Sequence, residues 1–359
     1  MRIAQIAPLA ESVPPKLYGG TERVVSYLAD ELVRMGHDVT LFASGDSNTK
    51  ARLVACAPRA LRLDPRVKDP LPHLLLMVEQ VRQRAHEFDI LHFHMEPLLH
   101  FPAFRLLGRK TVTTLHGRLD IPDLQPLFRE FREMPLVSIS DNQRRPLPEC
   151  NWVGTVYHGL AGRVCPFNAA PRGDYLAFLG RVSPEKGLDR AIQIARRAGV
   201  RLRIAAKVDI ADERYYRERI APLLRDPKID FIGEVGEEEK AEFLGNAIGL
   251  LFPIDWPEPF GLAMIEAMSC GTPVIAWPHG AVPEIIDHGV TGVVVNSIDE
   301  AVAAVEHIGR LDRGRVRARF EERFTAARMA QDYVSVYEAL GEERPVRVVK
   351  GELEAHATR

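Results

Sequence analysis

Two glutamates and two cations carry the chemistry that this sequence offers. Glu258 and Glu266 flank Phe260, Gly261 and Leu262 in the run D-W-P-E-P-F-G-L-A-M-I-E-A-M-S-C-G-T-P-V-I-A, which spans Asp255 to Ala276. Arg181 and Lys186 share the loop Gly180-Arg181-Val182-Ser183-Pro184-Glu185-Lys186-Gly187. Paired cations of this kind neutralise the charge that grows on a departing diphosphate. A helix that opens near Phe260 offers N–H groups without intrahelical partners at the positive end of its dipole, an anion site suited to phosphate. Glu266 lies about six residues further along, roughly 9 Å at 1.5 Å per residue, and its side chain leans back toward the N-terminus. One helix can therefore hold a diphosphate at its tip and a ribose diol on its flank. The same helix is apolar on nearly every side, so it should be buried. A buried carboxylate needs strong hydrogen-bond partners; for Glu266 these are either a neighbouring Arg or a pair of ligand hydroxyls.

The flanking residues must place this helix. Ile248 to Phe252 reads as a buried strand before it and Pro273 to Trp277 as the next strand, with Gly271 suited to the left-handed cap between. Upstream, Tyr175 to Leu179, Arg201 to Ala206 and Ile229 to Ile232 read as strands. They alternate with helices at Gly187 to Arg197, Arg214 to Leu224 and Glu237 to Asn246, which predicts a doubly wound α/β domain. The first half repeats the pattern. Arg2 to Ala7 is a strand, then Gly19-Gly20 opens onto a helix in which Val24, Tyr27, Leu28, Leu32 and Met35 keep helical spacing, and His37 to Ala43 is the next strand. A right-handed crossover in a parallel sheet follows. Further strands are expected at Asp89 to His94, Thr111 to His116 and Leu136 to Ser140. His116-Gly117 ends its strand where open parallel sheets meet ligands. His92 and His94 share a strand face, but no third ligand with sensible spacing follows, and no Asp-x-Asp occurs anywhere, so no metal is expected.

The P-E-P-F-G-L-A-M-I-E-A-M-S-C-G-T-P-V-I-A stretch resembles the E-x7-E segment of the retaining glycosyltransferases of the family 4 type. Gly19 to Leu41 resembles the opening of the same family, G-R-x-S-x-E-K-G its diphosphate-binding loop, and Gly280-Ala281-Val282-Pro283-Glu284 its G-G-x-P-E segment, with Ala281 for the second glycine. The resemblance implies the GT-B fold, two Rossmann-like doubly wound domains facing across a cleft. It implies transfer of a sugar, with retention, from a nucleoside diphosphate sugar to a sugar, lipid-linked or small-molecule acceptor, with UDP expected over GDP or ADP and no cofactor or metal. Catalytic roles fall to Glu258, His116, Arg181 and Lys186, with His116 beside the donor sugar. Donor contacts fall to Gly19, Gly20, Arg181, Lys186, Gly233, Val235, Phe260, Gly261, Leu262 and Glu266. Glu284 reads as structural. His158 stands where many relatives have Asn, and Ile254 where many have Ser. A nucleotide-sugar epimerase or a non-catalytic nucleotide-sugar-binding protein would share this architecture.

Length and composition agree with that outline. The 359 residues suit two domains: 1–165 on the acceptor side, 166–325 for the nucleotide sugar, a helix at 326–341 that can cross back to the first domain, and a polar tail at 342–359. At 46% hydrophobic and 27% charged, with a net charge of -2, the chain reads as globular and gives no reason to expect nucleic acid. The four cysteines form no C-x-x-C spacing. No signal-like start and no run of about 20 apolar residues is present, so a cytoplasmic protein with at most peripheral membrane contact is expected.

Overall fold

A computed structural model describes residues 1–342 apart from 63, 97 and 163–165. Two parallel sheets form, each buried between helices. The first has seven strands, β1 (Arg2–Ile6), β2 (Asp38–Ser44), β3 (Arg52–Ala57), β4 (Ile90–Phe93), β5 (Thr111–Thr114), β6 (Leu136–Ser138) and β7 (Trp152–Thr155), in the order β3-β2-β1-β4-β5-β6-β7. The second has six, β8 (Tyr175–Arg181), β9 (Arg201–Lys207), β10 (Ile229–Gly233), β11 (Gly249–Phe252), β12 (Val274–Ala276) and β13 (Gly292–Val294), in the order β10-β9-β8-β11-β12-β13. Strands such as Ile90–Phe93 and Gly249–Phe252 are buried at every residue, as parallel strands covered on both faces must be.

Strand order reverses between β1 and β4 in one sheet and between β8 and β11 in the other. Ligands of open α/β sheets bind outside the carboxyl ends of the strands at such points. Gly19-Gly20 and His94 follow β1 and β4, while the Arg181–Lys186 loop and Glu258 follow β8 and β11. The chemistry-bearing loops thus sit at both switch points.

The helices that shape the cleft are α1 (Gly20–Arg34), α2 (Leu188–Ala198), α3 (Glu237–Gly245), α4 (Leu262–Ser269) and α5 (Ala326–Glu342). Gly261, at φ 91, caps α4 in a left-handed conformation that favours glycine, and Gly271, at φ 78, follows its last turn. The α5 helix buries Met329, Tyr333, Val336 and Leu340, the periodic face read from the sequence, and lays it on the first domain: Gln5 Nε2 on β1 donates to Tyr337 Oη at 3.1 Å. The chain crosses between domains twice, side by side, since Leu160 N–H donates to Phe324 O and Ala326 N–H to Leu160 O, both at 2.9 Å.

One expectation needs correction. The helix expected over Arg214 to Leu224 is a series of short turns, Glu213–Tyr215, Tyr216–Ile220 and Leu223–Arg225, because Pro222 cannot continue a helical ladder. Strands β3 and β7 are not among the strands expected from the sequence. The polar tail expected at 342–359 lies, except for its first residue, outside the described residues, as does Cys165.

Candidate functional site

A cleft of about 570 Å³ opens between the carboxyl ends of the two sheets. It is lined by Gly19, Gly20, His116, Arg181, Lys186, Val235, Glu258, Phe260, Gly261, Leu262 and Glu266, so the site residues read from the sequence converge on one place. Gly233 is the exception. It does not line the cleft; its φ of 78 bends the end of β10, and the neighbours Glu234 and Val235 reach the wall instead. The glycine loop and the tip of α4 face each other closely, for a Cβ on Gly20 would stand 3.3 Å from Leu262 Cδ1.

On the second domain the acids and cations are paired. Lys186 Nζ donates to Glu258 Oε2 at 2.5 Å, and Trp256 Nε1 donates to the same oxygen at 2.8 Å. The indole of Trp256 also lies 4.7 Å under the Lys186 ammonium, a cation–π contact. Behind Glu258 sits Gly280, at φ 60; a Cβ there would come within 2.2 Å of the Glu258 backbone N and O, so glycine is required for the loop to close. Glu266 is 4% exposed and accepts from Lys240 Nζ at 2.6 Å. The expected Arg is therefore a Lys, reaching in from α3, and both residues line the cleft. Arg181 is not a free cation. Its Nη2 donates to Glu185 at 2.8 Å, and Asp209 and Asp212 each stand at 3.7 Å.

The first-domain wall carries histidines. His116 Nε2 lies 3.0 Å from His94 Nδ1, and its ring stacks on His158 with centroids 5.2 Å apart at 17°. Burial pushes His116 down to about 3 and holds His94 and His158 well below the ordinary range, so all three rings are neutral near pH 7. His116 Nδ1 and His158 Nδ1 are buried without a hydrogen-bond partner. Glu96 lines the cleft and accepts from Gly117 N–H at 3.1 Å. Glu22, in the first turn of α1, is buried, accepts from Glu11 N–H at 3.3 Å, and is pushed up by burial.

Glu284 faces away from this chemistry. It accepts from Asp141 N–H at 2.8 Å, Asn142 N–H at 2.7 Å and Tyr157 Oη at 3.0 Å, tying the two domains together. Sequence reasoning missed Lys240, Trp256, Glu96 and Glu22. Trp256 adjoins the motif and had a signal in its indole N–H, whereas Lys240 is hidden in the acidic run Glu237-Glu238-Glu239, which reads as a solvated face. Among the described residues no cluster of His, Cys, Asp and Glu is placed to hold a metal ion.

Residues 18–161 match the family model of Glycosyltransferase Family 4, and residues 167–324 match that of Glycosyl transferases group 1. The chain is 26% identical over 353 residues to a phosphatidyl-myo-inositol mannosyltransferase of Mycobacterium leprae, covering 89% of this chain and 90% of that one. Its fold superimposes with a TM-score of 0.72 on AviGT4, a glycosyltransferase involved in avilamycin A biosynthesis, at 23% identity over 95% of this chain and 98% of the other. With HepE of Anabaena, solved in complex with UDP and glucose, the TM-score is 0.73 at 18% identity, over 94% and 100% of the two chains.

Proposed function

The chain is a glycosyltransferase of the family 4 type with the GT-B fold, and from that premise we propose that it transfers a hexosyl group, with retained anomeric configuration and without a metal, from a nucleoside diphosphate sugar to an acceptor hydroxyl. One observation carries the reading: the glycine loop of one domain and the cation loop, helix tip and two glutamates of the other converge on a single cleft.

In this reading the diphosphate lies at the N-terminus of α4, where free N–H groups and the helix dipole favour an anion, and Lys186 and Arg181 oppose the charge that develops on the leaving group. Glu266 accepts from the ribose diol. Glu258 holds donor-sugar hydroxyls and orients the donor; it does not attack. His116 stands beside the donor sugar. With no nucleophile assigned, the acceptor attacks from the side the diphosphate leaves, and the leaving phosphate helps remove its proton. UDP is the preferred nucleotide, a choice supported by the UDP complex of the Anabaena protein of similar fold. The acceptor side, lined by His94, Glu22 and Glu96, suits hydroxyl groups of a sugar, a lipid-linked or a small-molecule acceptor. No helix among the described residues is long and apolar enough to cross a membrane; the reading keeps the protein in the cytoplasm with at most peripheral membrane contact.

Incubation with labelled nucleotide sugars tests this reading. Transfer, or slow hydrolysis without an acceptor, supports it; formation of an epimer indicates an epimerase; no turnover with tight binding indicates a binding protein. Thermal-shift screening against UDP, GDP, ADP and their common sugars selects the donor.

A further inference from the structure

A continuous hydrogen-bonded chain runs from the C-terminal helix to His116. Tyr333 Oη lies 3.0 Å from Thr114 Oγ1, and Thr114 Oγ1 lies 2.7 Å from His92 Nε2. His92 Nδ1 lies 2.7 Å from Tyr337 Oη, which accepts from Gln5 Nε2 at 3.1 Å. Gln5 Oε1 lies 2.7 Å from His94 Nε2, and His94 Nδ1 lies 3.0 Å from His116 Nε2. Gln5, His92, His94, Thr114, Tyr333 and Tyr337 are all buried.

The chain has a direction. Gln5 gives its amide N–H to Tyr337, so its carbonyl oxygen must accept from His94 Nε2–H. His94 is neutral, so its Nδ1 has only a lone pair and accepts from His116 Nε2–H. His116 is neutral too, which leaves a lone pair on Nδ1, the atom without a partner. Reversing the chain requires the Gln5 amide to turn over. His94 would then donate from Nδ1, and His116 would carry its proton on Nδ1, a buried N–H with no acceptor. Orphaned N–H groups are the rarer and costlier defect, so the free protein favours the first direction.

We propose that Tyr337, Gln5 and His94 are positioning residues that fix His116 as its Nε2–H tautomer, so that Nδ1 accepts a hydrogen bond from a donor-sugar hydroxyl. The last clause rests on the proposed function; the relay itself does not. By this reading the C-terminal helix, which follows the second domain in sequence, completes the active site of the first.

The test uses Gln5→Met, Gln5→Glu and two-bond proton–nitrogen correlation spectra of the histidine rings in the free protein. Methionine removes the acceptor of His94 Nε2–H, so each direction now leaves one buried N–H without an acceptor, His94 Nε2–H in the first and His116 Nδ1–H in the second, and the preference between them is lost. Glutamate accepts only and preserves the original direction. A single His116 tautomer protonated on Nε2 is expected in the native protein and in Gln5→Glu, and a mixture of the Nε2–H and Nδ1–H tautomers in Gln5→Met. In the hydrolysis of UDP-glucose, kcat should fall in Gln5→Met in proportion to the Nε2–H fraction lost, roughly 2-fold for an even mixture, and recover in Gln5→Glu, while the Kd for UDP stays the same in all three. An unchanged tautomer in Gln5→Met, or an equally slow Gln5→Glu, overturns the relay. A tautomer mixture with an unchanged rate keeps the relay and removes His116 as a sugar contact. If Gln5→Met does not fold, Tyr337→Phe, which loses only the hydroxyl that orients the amide, should show a mixture of His116 tautomers; a single unaltered one overturns the proposal.

Discussion

Replacing Glu266 with Gln separates what this carboxylate does for the fold from what it does for a ligand. The residue is buried, its partner Lys240 is 8% exposed, and their contact is 2.6 Å. Glutamine keeps the volume but leaves the ammonium without a counter-charge, and breaking a buried pair from one side costs about 3–5 kcal/mol. In a domain of this size each kcal/mol moves Tm by about 2–4 °C, so a fall of roughly 6–20 °C is expected. Glu266 also lines the cleft, and a charged acceptor is worth about 1.5–3 kcal/mol per hydroxyl. Weakening it should raise the Kd for UDP by roughly 10–150-fold at about 1.4 kcal/mol per decade. The single variant therefore loses both properties, and the pair Lys240→Met with Glu266→Gln discriminates between them. Removing the stranded charge should restore most of the melting temperature and none of the affinity. Differential scanning fluorimetry and isothermal titration with UDP on the native protein, both single variants and the double variant give the whole cycle. If nucleotide affinity returns together with stability in the double variant, Glu266 serves Lys240 alone and the ribose contact is refuted.

The remaining predictions concern the diphosphate, the metal and acid. Arg181→Ala and Lys186→Ala should each slow turnover by about 10²–10³-fold, the scale for losing a charge-stabilising donor; near-native rates in both would place the diphosphate elsewhere. If cations and a helix tip oppose the diphosphate, as proposed, initial rates should survive excess EDTA, and a complete loss restored by Mg²⁺ or Mn²⁺ would show that a metal is needed. His92, His94, His100, His116 and His158 are held below the ordinary range by burial, His100 and His116 at about 3. The unfolded chain takes up protons near pH 6.5 while these folded rings do not, so stability falls as pH drops below that value. Each ring costs about 1.3 kcal/mol between pH 7 and 5.5, about 6 kcal/mol for the five. Glu22, whose folded carboxyl is raised, acts in the opposite sense and offsets part of this. Urea midpoints at the two pH values measure it, and equal midpoints would contradict the buried neutral rings.

What the sequence disclosed follows from what each signal depends on. Buried parallel strands are short apolar runs, so β1, β4, β5, β8 and β11 were legible, and α5 was legible because Met329, Tyr333, Val336 and Leu340 keep one face. Strand β3 was not: Leu53 to Ala57 is an apolar run, but an edge strand that leaves Arg52 and Ala55 exposed lacks the alternation or full burial that marks a strand; in β7 no residue is fully buried. The cleft residues were legible where type and spacing sit within one stretch, as with Glu258 and Glu266. Their partners were not. Lys240 stands 26 positions from Glu266, and Asp209 and Asp212 meet Arg181 only because β8 and β9 lie side by side. A charge pair made by sheet neighbours has no period in the sequence.

Those unread partners alter how the cleft must work. Lys186 is matched to Glu258, Lys240 to Glu266, and Arg181 to Glu185, Asp209 and Asp212. A charge removed from water needs a counter-charge or strong hydrogen bonds at all times, and at Lys186 and Glu258 the residue proposed to bind phosphate supplies it to the residue proposed to bind hydroxyls. A nucleotide sugar brings both functions at once. Its diphosphate can take the place of a carboxylate at Lys186, and its hydroxyls can take the place of the ammonium at Glu258, so each group exchanges one partner for another without ever standing alone. Phosphate without hydroxyls releases a carboxylate into a half-buried site with nothing to accept from, and a neutral sugar leaves the lysine unmatched. The pairing therefore favours the intact donor over either half, a discrimination that arises from the charges the protein must compensate when the cleft is empty.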